Sequence, residues 1–186
     1  MTPELEQWLL DSDPALRWQV ERDLLGAPDE VWQKTRARVA SEGWAAKVLA
    51  QQDPDGQWVG GAYFPPRNFD GDIIMTEHGQ PWIATTWALK DLREWGLDPS
   101  VLAGTAEKLA ANSRWEHEDL PYWRARSMSA SMPSRWPTAR QPDGTWLQGH
   151  ALPGAVWVVE DAPTGQGSKW LTLQAQRVLD WWDAGT

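Results

Sequence analysis

The chain has 186 residues, 41% of them hydrophobic and 23% charged, the length and composition of one ordinary globular domain with a single core. It contains no cysteine, which excludes disulfides, thiolate nucleophiles and sulfur-ligated zinc. Its net charge of −9 disfavours nucleic acid, whose phosphates recruit clustered Lys and Arg.

Apolar spacing and helix-end signals predict helices throughout. Asp13-Pro14 supplies an N-cap and a first-turn proline, Leu16, Val20 and Leu24 then share a face, and Gly26 ends the pattern. Pro28-Asp29-Glu30 begins a second helix with acidic residues in its first turn, and Trp32, Thr35 and Val39 carry its stripe towards Gly43. A short helix through Trp44 and Val48 follows. After Pro81, the residues Ala84, Ala88, Leu92 and Trp95 fall on one face, while Lys90, Asp91, Arg93 and Glu94 are expected in water and Gly96 at the C-terminal stop. Asp98-Pro99-Ser100 starts another helix, with Leu102, Ala106 and Leu109 in line and Asn112 near its end. Ser168 caps the last, in which Leu171, Ala175, Val178 and Trp182 align. Five or six helices in hairpin-like succession make an all-α pattern.

Long Pro- and Gly-rich stretches, 52 to 81 and 116 to 167, separate these helices, and loops of that length in a compact domain are commonly functional. Ala155 to Glu160 reads as a short strand, and Gly165-Gln166-Gly167-Ser168 as a flexible loop before the final cap. From Leu120 to Pro142 there is no acidic residue, while Arg124, Arg126, Arg135 and Arg140 alternate with Ser and Met. That shift marks a linker, a disordered loop or a seam. The expected organisation is therefore N-terminal helical hairpins over 1–123, an irregular Arg/Ser/Met-rich seam over 124–139, and a C-terminal turn and helix over 140–186, all within one structural unit. No run approaches the ~20 apolar residues of a membrane-spanning helix. The opening residues lack the basic start and apolar run of a secretory signal, so a cytoplasmic location is expected.

Sixteen Trp against two Tyr and two Phe mean that a core or cleft is built of indoles, each with one N–H that needs a partner when buried. Two short segments are variants of one device: Gln52-Asp53-Pro54-Asp55-Gly56-Gln57-Trp58 and Gln141-Pro142-Asp143-Gly144-Thr145-Trp146. Proline fixes φ and glycine accepts positive φ, so Pro-Asp-Gly is a turn, and the Trp beyond it can fold back over the preceding helix end. Gln52, Gly56, Trp58, Gln141, Gly144 and Trp146 are thus structural turn residues.

A Gln followed by Gly-x-Trp at a helix end resembles the QW repeat of squalene-hopene and oxidosqualene cyclases, whose α/α toroid is shared by the β subunits of protein prenyltransferases. Trp8 through Pro14, Arg17-Trp18-Gln19-Val20, Gly43-Trp44, Gln80 through Trp87 and Arg93 through Leu97 are similar to actinobacterial squalene-cyclase-like proteins. So are Ser168 through Leu173 and Trp181-Trp182. The resemblance covers about residues 5 to 123 and resumes from Arg140 to Trp182. It implies a closed toroid of six helix pairs. At roughly 40 residues per pair this chain holds at most about four, so the expected fold is an incomplete α/α toroid of helical hairpins with long Pro/Gly/Trp-rich loops, the missing helices falling at an internal deletion or frameshifted stretch near 124–139. An open core of that kind is expected to self-associate.

The family protonates an alkene with an Asp-x-Asp-Asp acid, and no Asp-Asp pair occurs here. Asp70-Gly71-Asp72 has the first spacing only. Glu116, Glu118 and Asp119, with Trp115, Tyr122 and Trp123 close by, form the densest cluster of acids and aromatics, suited either to an acidic loop or to a cavity mouth that stabilises a cation. Asp70, Asp72, Glu116, Glu118 and Asp119 are the candidate acids, and Trp82, Trp87, Trp115, Tyr122 and Trp123 the expected ligand pocket. His78, His117 and His150 lack a two-His helical spacing, so no metal and no cofactor are expected. The resemblance implies a toroid scaffold without cyclase activity that binds an apolar isoprenoid. The alternatives are an active isoprenoid cyclase, and an α/α carbohydrate-binding or glycosidase-like protein that uses the same indoles and carboxylates.

Overall fold

The computed structural model describes residues 1–60, 82–112, 140–149, 154, 156–159 and 162–184. Within them the chain is mainly helical. The α-helices are α1 (Pro3–Leu10), α2 (Pro14–Asp23), α3 (Asp29–Ala37), α4 (Gly43–Leu49), α5 (Thr85–Glu94), α6 (Thr105–Asn112) and α7 (Lys169–Asp183), with a 3-10 turn at Pro99–Leu102. Two short strands, β1 (Trp146–Leu147) and β2 (Gly167–Ser168), pair antiparallel with Trp146 opposite Ser168. No helix among the described residues is long and apolar enough to cross a membrane.

A capping side chain starts three of these helices, and in two of them proline follows it at the first helical position. Thr2 accepts from the Leu5 N–H ahead of Pro3, Asp13 from Ala15 ahead of Pro14, and Ser168 from Leu171 at the head of α7. Helix α1 carries the same signals as α2 and was not anticipated from the sequence, because its eight residues give only two turns of apolar periodicity. α2 is the hub, packed against α1, α3, α4 and α7.

Several expected elements differ in extent or orientation. The second helix stops at Ala37, and the chain turns through 38–41 before α4, although Val39 still enters the core. The helix expected from Asp98 is divided at Ala103-Gly104 into the 3-10 turn and α6, and the buried residue of α6 is Thr105 while Ala106 is exposed. Asp91 is half-buried rather than fully solvated. In α7 the inward face is Thr172, Leu173 and Ala175; Val178 and Trp182, expected on that face, are 56% and 64% exposed beside Trp181 at 73%. Val156 to Val159 form no strand, and Gly167-Ser168 is itself strand β2 rather than a flexible loop.

Among the described residues two apolar clusters make the core. One gathers Ala15, Trp18, Val39, Ala45, Val48, Trp58, Ala88, Leu92, Trp95 and Leu97; the other gathers Leu5, Leu9, Leu16, Val20 and Leu173. Trp44 and Trp170 pack against both. Burying side chains of this size stabilises by about 1.5–3 kcal/mol each, and the seam where both clusters meet α7 ties the C-terminal segment to the N-terminal hairpins.

The carbonyls at the end of α5 are received by side chains from two other helices. The Trp18 indole donates to Trp95 O at 2.8 Å, the Gln19 amide to Glu94 O at 3.1 Å, and Arg36 Nε to Gly96 O at 2.8 Å. Gly96 has φ of 83°, and a Cβ there would collide with the Trp18 ring. Glycine is required twice over, for the left-handed C-terminal stop and for the indole that seals it. Arg22 lies over the same indole at 4.5 Å and Arg36 at 5.3 Å, so the junction is also a cation–π stack.

Candidate functional site

The two Pro-Asp-Gly turns share one backbone hydrogen-bond pattern. Asp53 N–H donates to Gln57 O at 2.8 Å, and Gln141 N–H to Thr145 O at 2.8 Å. Gly56 and Gly144 have φ of 88° and 89° and donate back to Asp53 O and Gln141 O. Asp55 and Asp143 accept from the second residue on, at 3.0 Å in each turn. The backbone N–H of Trp58 then reaches Thr85 Oγ1, and that of Trp146 reaches Thr172 Oγ1, both at 3.0 Å. Both threonines are buried in the opening turns of a later helix, α5 and α7.

Each turn therefore pins its Trp to a helix that begins some two dozen residues downstream. The Trp58 indole also donates to Val48 O at 2.7 Å, closing over the end of α4. Gln52 and Gln141 are not equivalent, because Gln141 occupies the place of Asp53. Gln52 instead donates to Gly56 O and to Thr105 Oγ1, joining its turn to α6. The place of Gln52 is taken in the second turn by Arg140, whose guanidinium lies 5.3 Å from the Trp146 ring.

Of the expected pocket residues, the structure brings Trp82 and Trp87 together edge to face, with ring centroids 4.7 Å apart. Trp115, Tyr122 and Trp123 lie outside the described residues, as do the candidate acids Asp70, Asp72, Glu116, Glu118 and Asp119, the three histidines and the seam 124–139.

A different cleft is present among the described residues, with a volume of about 430 Å³, inside the ~300–1,000 Å³ range of small-molecule sites. It is lined by Trp8, Ser12, Asp13, Leu16, Trp44, Ala162, Gly167 and Lys169. The lining comes from α1 and the turn that follows it, from the beginnings of α2, α4 and α7, and from strand β2 and Ala162 ahead of it.

Asp13 organises the back of the cleft. One carboxylate oxygen accepts from Ala15 N–H at 2.9 Å and caps α2; the other accepts from Trp44 N–H at 2.8 Å and holds the start of α4. Burial pushes its carboxyl above the ordinary range against the pull of those two N–H groups and of Lys47. With both oxygens engaged by backbone donors, Asp13 is a joint between helices rather than an acid presented to a ligand. Ser12 Oγ is likewise engaged, donating to Leu9 O at 2.6 Å.

Lys169 forms the polar side. Its ammonium lies 5.3 Å from the Trp8 ring centroid and donates to the backbone carbonyl of Asp11. Burial holds its pKa below the usual lysine range, with the Asp11 charge pulling the other way. Trp44 supplies a second indole and packs at 5.8 Å against Trp95 of the core, which fixes its position. The cleft thus offers two indoles and one cation beside the buried Leu16. None of these residues was singled out for binding from the sequence, since they come from segments up to 161 positions apart and share no spacing.

Comparison with protein-family models, with curated proteins and with solved structures finds no match.

Proposed function

We propose that this protein is a non-catalytic helical scaffold of the squalene-cyclase-like, α/α-toroid type, and that it binds a small, largely apolar ligand. The observation that carries the binding half is the cleft of about 430 Å³ whose lining includes Trp8, Trp44 and Leu16. Apolar walls with few polar groups are the usual makeup of a small-molecule site.

The toroid half is supported by the duplicated turn. A Pro-Asp-Gly-x-Trp unit that hands its Trp N–H to a threonine of a later helix occurs twice with the same hydrogen bonds. A repeat of this kind is what a scaffold of stacked hairpins requires, each unit being pinned to the next. The absence of turnover is supported by the sequence, which has no Asp-Asp pair to make the alkene-protonating acid, and by Asp13, whose two oxygens are committed to helix starts.

The reading is tested by melting the protein with squalene and with farnesol, followed by mass spectrometry of the extracted lipid. The expected result is a dose-dependent rise in melting temperature with the isoprenoid recovered unchanged. Cyclised product would overturn the non-catalytic assignment, and no shift with either compound would overturn isoprenoid binding.

A further inference from the structure

Lys169 gives the cleft a polarity that a purely apolar ligand would not use. Its ammonium enters a space whose other lining groups are indoles, Leu16, Ala162, Gly167 and two polar side chains already engaged elsewhere. Among the described residues no carboxylate lies within ion-pair distance of it; its acceptor is the neutral backbone carbonyl of Asp11, whose side-chain charge acts on it only from further away. A partly buried ammonium held by a neutral group gains most from an incoming anion. Lys169 is also the first residue of α7, a helix of fifteen residues whose positive end adds to the same field. Asp13, the one acid of the cleft, is offset by the two backbone N–H groups that it caps.

We infer that the ligand of this cleft is a small amphiphilic anion, whose apolar body packs against Trp8 and Trp44 and whose single carboxylate or comparable head group pairs with the Lys169 ammonium. The inference rests on the binding reading above and names the chemical class of its ligand. The indoles exclude water from the apolar body, and the lysine at one side fixes its orientation. A neutral ligand of the same body leaves the ammonium on its carbonyl, and a cationic one opposes it.

The test uses the intact chain and three probes with one tail, decanoate, decanol and decyltrimethylammonium, each titrated by calorimetry. Decanoate is expected to bind about fivefold more tightly than decanol, the advantage carried by a half-exposed ion pair, and the trimethylammonium probe more weakly than either. Lys169→Met should abolish the preference for decanoate over decanol measured on the same variant, while Lys169→Arg should restore it. Vesicles of anionic phospholipid distinguish a lipid surface from a free amphiphile, and no co-sedimentation is expected.

Equal affinity of decanoate and decanol, or decanoate binding indifferent to Lys169→Met, would overturn the head-group assignment and leave the apolar cleft standing. Co-sedimentation with vesicles that Lys169→Met abolishes would replace the free amphiphile by a membrane. Failure of all three probes to bind would overturn the binding reading itself.

Discussion

Asp91 lies half-buried on α5 beside Lys90, and burial raises its carboxyl from the ordinary 3.8 to about 6 against the pull of Lys90, with Glu94 adding to the rise. The folded chain therefore holds this proton between about pH 4 and 6, where the unfolded chain has released it. The stability it contributes is complete below pH 4 and lost as pH rises through 6. Asp91→Asn should accordingly melt higher than wild type at pH 7.5, by about 2–4 °C, and the difference should vanish in melts taken below pH 4. Gly96 gives a second residue-level prediction. Gly96→Ala places a methyl group in the Trp18 ring and an L residue at φ of 83°, so chemical denaturation should show a loss of about 2–4 kcal/mol. The sequence marked Gly96 as a helix stop, which it is. It could not show that the Trp18 indole fills the space above it, because that contact joins residues far apart in the chain.

Helix starts and turns were the most legible elements, since their signals are local. Asp13-Pro14, Pro28-Asp29, Ser168 and both Pro-Asp-Gly turns sit where their chemistry indicates. Helix faces were less legible. The spacing of Leu171, Ala175, Val178 and Trp182 is helical, yet the buried side of α7 is set by Leu173 meeting Leu5, Leu9, Leu16 and Val20, and Thr172 turns inward to receive Trp146. A polar threonine on the buried face is invisible to an apolar pattern. The same holds for Thr85. Replacing either threonine by valine keeps its shape and removes the acceptor, stranding a buried Trp N–H. Thr85→Val and Thr172→Val should each cost about 1–3 kcal/mol in urea unfolding. The two threonines hold different Trp residues and belong to different helices, so the double variant should show the sum. A double variant no worse than either single one would mean that the two turns do not pin their helices independently.

Across the whole molecule, Trp44 and Trp170 join two apolar clusters, and the cleft opens beside that junction where the starts of α2, α4 and α7 converge. Mainly helical architecture follows from the run of caps and periodic stripes. The cleft does not, because it exists only after α7 returns to α1 and α2 through Lys169 and Arg177, which meet Asp11, Gln19 and Asp23. Of the expected pocket aromatics only Trp82 and Trp87 lie among the described residues, and they pair with each other outside the cleft lining. The central claim, that an apolar ligand occupies the cleft against Trp8 and Trp44, is tested most directly by photo-crosslinking a diazirine-tagged decanoate and locating the label by peptide mass spectrometry. Labels confined to peptides carrying Trp8, Trp44 and Lys169, and displaced by excess decanoate, are the predicted result. Label concentrated on the exposed Trp181-Trp182 end of α7, or spread over the chain and indifferent to competitor, would contradict it.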